Sequence, residues 1–375
     1  MAIPYGHQSV DASDINAVLA ALKGEWLTMG PTVAEFEAAI AALAGTPGAV
    51  AVSSGTAALH AAYAPMRLKP GAEVIVPPLT FVATAATAVL HGATIRFADI
   101  QPDTGNIDPE AVSALVGSST AAIAAVDYAG HPADMDELGA IAAGASAFLL
   151  EDAAHSIAST YRGRPVGSLA DLTTFSFFPT KNLTTAEGGA VVARDTGLLE
   201  GARRFRSHGL VRDPAAQRYP DEGPWHQEVH ELGLNYRLPD VLSALGLSQL
   251  KRVDQFKASR AEVFARYGEG LADVDGLTLP TQRDYVDPMW HLYPIRVHDG
   301  QRRRVFDFLR ANDVLVQVNY IPVYWHPYFE DLGYQRGMCP VAEQYYSEEI
   351  SLPMFASLTG SDQDRVIELV RQALA

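Results

Sequence analysis

Seven short apolar runs, Ala49–Val52, Val74–Val76, Ile95–Phe97, Ala121–Val126, Phe148–Leu150, Thr173–Phe177 and Ala190–Val192, recur between residues 49 and 192, separated by helical or turn-rich stretches. Most are apolar at successive rather than alternate positions, the pattern of strands buried on both faces, and such strands belong to a largely parallel sheet with helices packed on either side. An α/β domain is therefore predicted. Upstream of these runs, Thr32-Val33-Ala34-Glu35 has capping-box spacing, and Val33, Phe36, Ile40 and Leu43 recur at helical intervals, so an amphipathic helix is predicted to begin near residue 32. From about Asp240 the texture changes to long helical patterns, with Leu242, Leu245, Leu247 and Leu250 followed by Lys251 and Arg252. The expected division is a large domain over residues 1–250 and a small C-terminal α+β domain over residues 251–375. In the latter, Trp290–Val297, Val314–Tyr320 and Glu349–Leu352 read as strands, and Val305–Leu309 and Asp364–Leu374 as helices.

Composition narrows the function. With 48% hydrophobic residues in 375, the chain can bury a sizeable core, and its formal net charge of −16 repels phosphate backbones and anionic lipid surfaces. Neither a nucleic acid nor a membrane is expected as a partner. The stretch Met1-Ala2-Ile3-Pro4-Tyr5-Gly6-His7 has no basic region followed by an apolar one, and a cytoplasmic protein is predicted. Cys339 is the sole cysteine, so neither an intrachain disulfide nor a cysteine-based metal cluster can form, and no metal site is expected.

Three segments carry chemistry. In Leu149-Leu150-Glu151-Asp152-Ala153-Ala154-His155-Ser156 an apolar strand delivers an acid at its carboxyl end, the edge where α/β sheets bind ligands. A carboxylate there can hold a cationic ring nitrogen, and His155 is within reach of the same ligand; alternatively Asp152 caps a following helix. In Thr174-Phe175-Ser176-Phe177-Phe178-Pro179-Thr180-Lys181-Asn182 a β-like run ends in a lysine, which desolvation would turn into a nucleophile toward carbonyl carbon, although most lysines simply lie on the surface. Its sequel, Thr184-Thr185-Ala186-Glu187-Gly188-Gly189, is a constrained glycine-bearing turn. In Val52-Ser53-Ser54-Gly55-Thr56-Ala57-Ala58-Leu59 a strand leads through small residues into a helix start, whose free N–H groups form a phosphate seat, or else an ordinary turn. There is no Walker sequence and no GxGxxG, which removes the main support for a nucleotide-triphosphatase or Rossmann protein.

A phosphate seat, a carboxylate for a ring nitrogen and an amine for an aldehyde, in that order, resemble the fold-type I pyridoxal-phosphate transferases, aspartate aminotransferase-like in fold. More narrowly, the chain resembles the DegT/StrS family of sugar-nucleotide aminotransferases. The matching segments are Trp26-Leu27-Thr28-Met29-Gly30-Pro31, Ser54-Gly55-Thr56, Thr80-Phe81-Val82-Ala83-Thr84, Asp152-Ala153-Ala154-His155, Ser176-Phe177-Phe178-Pro179-Thr180-Lys181, Arg206-Ser207-His208-Gly209 and Asn235-Tyr236-Arg237-Leu238. The resemblance implies a large domain with a mixed, mostly parallel seven-stranded sheet. It implies pyridoxal 5′-phosphate held covalently by Lys181, with Asp152 on the ring nitrogen, Phe81 on one ring face and His155 on the other side. Ser54, Gly55, Thr56 and Ser176 would hold the phosphate, completed by Asn235 from a neighbouring subunit, so a homodimer with shared active sites is implied. His208 and Arg237 would serve the substrate. Tyr5, Trp26, Thr28, Tyr320, Ile321, Pro322 and Val323 match regions that line the sugar-nucleotide pocket in relatives; for the aromatic ones, plain core packing is the competing explanation.

The donor so implied is L-glutamate and the acceptor a UDP-linked keto-sugar. Val126-Asp127-Tyr128-Ala129-Gly130, His291-Leu292-Tyr293-Pro294-Ile295 and Glu349-Ile350-Ser351-Leu352-Pro353 resemble the pseudaminic-acid branch of the family, whose acceptor is a UDP-4-keto-6-deoxy-N-acetylhexosamine aminated at C4. Phe178-Pro179 stands where that branch carries His-Ala, and Trp26 replaces a polar residue, which leaves another keto-sugar or cyclitol transaminase of the family as an alternative. A non-catalytic regulator on the same fold is the alternative of another class.

Overall fold

The computed structural model describes residues 2–375. Every one of the expected apolar runs is a strand: β1 Ala49–Val52, β2 Glu73–Val76, β3 Thr94–Phe97, β4 Thr120–Val126, β5 Phe148–Asp152, β6 Leu172–Ser176 and β7 Gly189–Ala193. They form one seven-stranded sheet in the order β1-β7-β6-β5-β4-β2-β3. The β6–β5, β5–β4, β4–β2 and β2–β3 pairings are parallel. β7 runs against both its neighbours, β6 and β1, so the sheet is mixed. Successive residues of β4 serve opposite faces: Ala122 and Ala124 join one apolar cluster, Ile123 and Ala125 the other. That two-sided burial is why the strands carry no polar alternation.

Four α-helices precede β3. They are α1 Ala12–Lys23, α2 Pro31–Ala44, α3 Gly55–Tyr63 and α4 Ala83–Leu90. The helix expected near residue 32 is α2, but the capping box at Thr32 does not form. Pro31 opens the helix, which puts Thr32 inside its first turn, and the carboxylate of Asp240 accepts instead from the N–H groups of Gly30 at 2.8 Å and Thr32 at 3.1 Å. A proline at that position needs no partner for a missing N–H, so a carboxylate from a distant helix can cap the turn. A capping box does form at Asp11 and Asp14, at the start of α1.

The leucine-rich pattern after residue 240 is the helix Asp240–Leu250, followed by Val253–Leu271. Tyr293–Val297 and Glu349–Leu352 pair antiparallel, with Leu277–Thr278 on the outer edge of Tyr293–Val297. The helices Arg302–Ala311 and Gly360–Leu374 contain the two expected helical stretches. The strand expected over Val314–Tyr320 is absent. That segment makes only single bridges, Val314 to Ile3 and Gln317 to Ser351, and is held in place by side chains instead of a ladder. Near the amino end, Ile3 donates to the carbonyl of Asp313 at 2.8 Å, and Tyr5 accepts from the N–H of Met354 at 3.1 Å. These bonds lay the first residues against the C-terminal part of the chain and carry Tyr5 toward the sheet edge. No helix among the described residues is long and apolar enough to cross a membrane.

Candidate active site

The carboxyl ends of β5 and β6 and the turn from β1 into α3 open onto a cavity of about 570 Å³, closed from the other side by Tyr5, Asn319 and Tyr320. Parallel strands point their carboxyl ends to one side of a sheet, so loops far apart in sequence converge there.

Asp152 is the last residue of β5 and is buried. Its Oδ2 accepts from the Thr84 hydroxyl at 2.7 Å and its Oδ1 from the N–H of Ala154 at 3.2 Å. The competing role as a helix cap fails, because the chain continues from Asp152 in turns. Burial raises the carboxyl above the ordinary range, opposed by the Thr84 hydrogen bond and by the charge of Lys181. Lys181 follows β6 after one turn, its N–H donating to the carbonyl of Phe178 at 2.9 Å. Desolvation lowers its amine to about 8, against the pull of Asp152, so a substantial neutral fraction exists near neutral pH.

At the start of α3 the Ser54 hydroxyl accepts from the N–H of Ala57 at 3.0 Å, which caps the helix and leaves the N–H groups of Gly55 and Thr56 facing the cavity end. A Cβ on Gly55 would stand 2.7 Å from both Cβ and Oγ of Ser176. Only glycine lets the end of β6 close on the helix start, and the result is a cradle of N–H and hydroxyl groups at the positive end of a helix dipole.

His155 is gripped from three directions. Its Nε2 meets the Tyr320 hydroxyl at 3.1 Å, its ring lies 4.3 Å from that of His291, and its carbonyl accepts from Asn182 Nδ2 at 2.7 Å. Because Asn182 Nδ2 also donates to the carbonyl of Met289 at 2.8 Å, its Oδ1 is the acceptor that faces His291 Nδ1 at 3.2 Å, which places the proton on that nitrogen. Burial, helped by the positive charge of Lys181, holds both histidines well below the usual imidazole range, so both are neutral at pH 7. His155 Nδ1 is buried without a partner. Phe81, at 59% exposure, stands at the mouth edge-on to Tyr320, with ring centroids 6.3 Å apart.

The cavity thus gathers Tyr5, Ser54, Gly55, Thr56, Phe81, Asp152, His155, Ser176, Lys181 and Tyr320 from the expected residues. The hydrogen bond from Tyr320 to His155 shows that this tyrosine does more than fill the core. Trp26, Thr28, His208, Asn235, Arg237, Ile321, Pro322 and Val323 lie outside it. Val323 is fully buried and donates to the carbonyl of Pro78 at 3.0 Å. Trp26, Thr28, His208 and Asn235 are exposed on a surface where Asp240 donates to the carbonyl of Leu27 at 3.0 Å and Ser53 to that of Tyr236 at 2.8 Å. Sequence reasoning missed Thr84, Asn182, His291 and Asn319. Thr84 and His291 sit within segments that the family resemblance had already marked, whereas Asn319 carried no signal of its own.

The residues present fit pyridoxal phosphate. The Gly55–Ser176 cradle matches a phosphate, the buried carboxylate of Asp152 a ring nitrogen, the lowered amine of Lys181 an aldehyde, and the exposed face of Phe81 a flat ring. Fold and site together define a fold-type I pyridoxal-phosphate enzyme. The DegT/DnrJ/EryC1/StrS aminotransferase family model matches residues 8–371, and the chain belongs to that family. It is a pyridoxal-phosphate-dependent sugar aminotransferase. The chain is 39% identical over 98% of its length, and 96% of the relative's, to the spore coat polysaccharide biosynthesis protein SpsC of Bacillus subtilis. It is 38% identical, over 96% of this chain and 94% of the other, to the UDP-4-amino-4,6-dideoxy-N-acetyl-beta-L-altrosamine transaminase of Campylobacter jejuni. Among solved structures, Spr1654 of Streptococcus pneumoniae in its PMP form superposes with a TM-score of 0.93 at 28% identity, covering 99% of this chain and 98% of that one.

Proposed function

We propose that the protein transfers the amino group of L-glutamate to C4 of a UDP-linked 4-keto-6-deoxy-N-acetylhexosamine, the sugar class named for the Campylobacter relative. What carries this reading is that likeness over nearly the whole chain, joined to an intact pairing of Asp152 with Lys181 in one cavity. The pairing also speaks against a non-catalytic regulator.

When bound, the cofactor supplies an electron sink that lets a proton leave the carbon bearing the amino group. The chain's own residues do the rest. Lys181, poised near pH 8, holds the aldehyde end and takes up and returns the proton at its Nζ. Asp152, oriented by Thr84 and Ala154, would pair with the ring nitrogen and keep it protonated. His155, neutral and fixed by Tyr320 and Asn182, would border the cofactor ring, its Nδ1 left without a protein partner. Ser54, Gly55, Thr56 and Ser176 seat the phosphate.

Because the two ketones have no stereocentre at C4 and differ only at C5, they share nearly all their atoms, and selection must come from how the pocket seats the C6 methyl, hydroxyl and acetamido groups, rejecting a wrong isomer when buried polar groups are left unpaired. We expect preference for the L-altro-configured ketone over its D-gluco counterpart. The test supplies both ketones, each made fresh by its matching dehydratase, with L-glutamate and follows release of 2-oxoglutarate. Faster turnover of the D-gluco ketone, or none of either, assigns the protein to a different branch. Phe178 favours that second reading: it lines the cavity, 46% exposed, where the pseudaminic branch carries histidine, and SpsC is an equally near relative.

The exposed placement of Trp26, Thr28, His208 and Asn235 supports shared sites, in which these residues and Arg237 serve the cavity of a second copy. Inactive Lys181→Ala and Asn235→Ala variants, mixed under exchange, are then expected to recover up to about a quarter of native activity, since one site in each mixed dimer has both native residues. Exchange without recovery removes Asn235 from the neighbouring site.

A further inference from the structure

Asn319 and Tyr320 close one side of the cavity from a segment that belongs to no helix and no strand. Short unpaired segments are where local opening is cheapest, so the side chains that hold this one determine the shape of the site. The principal anchor is Glu349, the first residue of the strand Glu349–Leu352 and fully buried. It has no ion pair among the described residues, only the more distant charge of Arg302 acting on it, and a carboxyl buried in that way is costly to keep. One of its oxygens bonds to the segment directly, and the other bonds to Ser351 on its own strand, which in turn meets the segment. Oε2 accepts from the N–H of Asn319 at 2.7 Å, and Oε1 bonds closely with the Ser351 hydroxyl. Asn319 Nδ2 in turn donates to Ser351 Oγ at 3.1 Å and to the Tyr5 hydroxyl oxygen at 3.0 Å.

The direction of these bonds matters more than their number. Burial moves Glu349 up to about 8, so acid and carboxylate are both accessible near neutral pH. In either form Oε2 accepts from Asn319, and Ser351 keeps a lone pair for Asn319 Nδ2 whether its own proton goes to the carboxylate or it receives one from the acid. With Glu349 as the carboxylate, the Ser351 proton is committed to it, so Ser351 Oγ is an acceptor and the amide nitrogen of Asn319 faces both Ser351 and Tyr5. With its oxygen already accepting, Tyr5 has its hydroxyl proton free for something in the cavity that it lines. Tyr320, the next residue, carries the same anchoring to His155 through its own hydroxyl.

We propose that Glu349 is a positioning residue, which through Asn319 makes Tyr5 a hydrogen-bond donor to an oxygen of the acceptor sugar. This rests on the reading of the cavity as a keto-sugar site, and the wild-type turnover used as reference tests that reading separately.

The experiment measures, with a keto-sugar that the wild type turns over, KM and kcat for the acceptor alongside the half-reaction with L-glutamate alone, followed by loss of cofactor colour. Tyr5→Phe is expected to raise acceptor KM about tenfold, the worth of one hydrogen bond to a ligand, and Glu349→Ala to raise it at least as much. Both are expected to leave the glutamate half-reaction within about threefold, because the lost bond faces the sugar. Glu349→Gln, which keeps an acceptor for Asn319 and a donor for Ser351, is expected to stay within about threefold of wild type. In the Tyr5→Phe background, Glu349→Ala is expected to add less than about threefold to KM, since the two changes remove one contact. Should Glu349→Ala not fold, Asn319→Ala severs the same link with the carboxyl kept, and the same KM rise and the same non-additivity are expected. Independent, multiplicative effects of Tyr5→Phe and Glu349→Ala, a Gln variant as impaired as Ala, or an unchanged KM in Tyr5→Phe would each overturn the inference.

Discussion

Lys181→Ala is expected to lower transamination by at least about 10³-fold while leaving the fold intact, because one amine both holds the cofactor's aldehyde and moves the proton. The loss should not reflect unfolding. Burial lowers the Lys181 amine to about 8, so the folded state disfavours the ammonium form; the resulting penalty is fully present below pH 8 and disappears above the ordinary lysine range. Removing the side chain relieves that penalty, and the thermal midpoint at pH 7 should stay close to wild type or rise. The same value sets the pH dependence of coupling. The neutral amine is the nucleophile, so the rate at which pyridoxal phosphate attaches to the apoprotein should rise about tenfold between pH 6 and 7 and level off above about 8. The chain has only five lysines, Lys23, Lys69, Lys181, Lys251 and Lys257, which makes the attachment site easy to read. Borohydride reduction and peptide mass spectrometry should find the pyridoxyl group on Lys181; finding it on any of the other four refutes the assignment.

Asp152→Asn is expected to cost about 10²–10³-fold in kcat, the range seen when a preorganised group aimed at changing charge is removed. The substitution is isosteric, and an asparagine oxygen can still accept from Thr84, but an amide cannot hold a proton on a ring nitrogen. Stability should move the other way. Burial raises the Asp152 carboxyl, so its ionisation costs the folded state stability; the cost is absent below the ordinary carboxylate range and grows as pH rises through it. At pH 7 the Asn variant should therefore melt no lower than wild type. A variant that melts well below wild type, or one that keeps more than about a tenth of native kcat, contradicts the role given to this residue.

The elements legible in the sequence were those whose signal fits inside a few residues. Ala49–Val52 and the six later runs announced strands because each is apolar at consecutive positions, and Leu242, Leu245, Leu247 and Leu250 announced a helix by their period. Val314–Tyr320 misled for the same reason. Val314 and Val316 are fully buried at alternate positions, yet no neighbouring strand runs beside them for more than one bridge. The box at Thr32 misled because its spacing is local, whereas the competing cap, Asp240, comes from another helix.

For the site, family motifs placed Lys181, Asp152, His155 and the Ser54–Thr56 turn, because each lies where a strand ends and the chain must turn at the sheet's carboxyl edge. Thr84, Asn182, His291 and Asn319 owe their roles to partners far away in the chain: Thr84 bonds to Asp152, Asn182 to the carbonyl of Met289, His291 to Asn182, and Asn319 to Tyr5.

By itself, then, the sequence determined the α/β class, the positions of the strands and the lysine and carboxylate that face one another, since backbone conformation and two-sided burial are set by short windows of side chains. Only the tertiary structure decided that β7 runs against its neighbours, that Asp240 caps α2, and that Glu349 and Tyr5 both bond to Asn319 at the cavity. Those outcomes depend on which distant groups come within hydrogen-bonding distance once the chain has packed, and a hydrogen bond between residues 5 and 319 leaves no trace in the spacing around either.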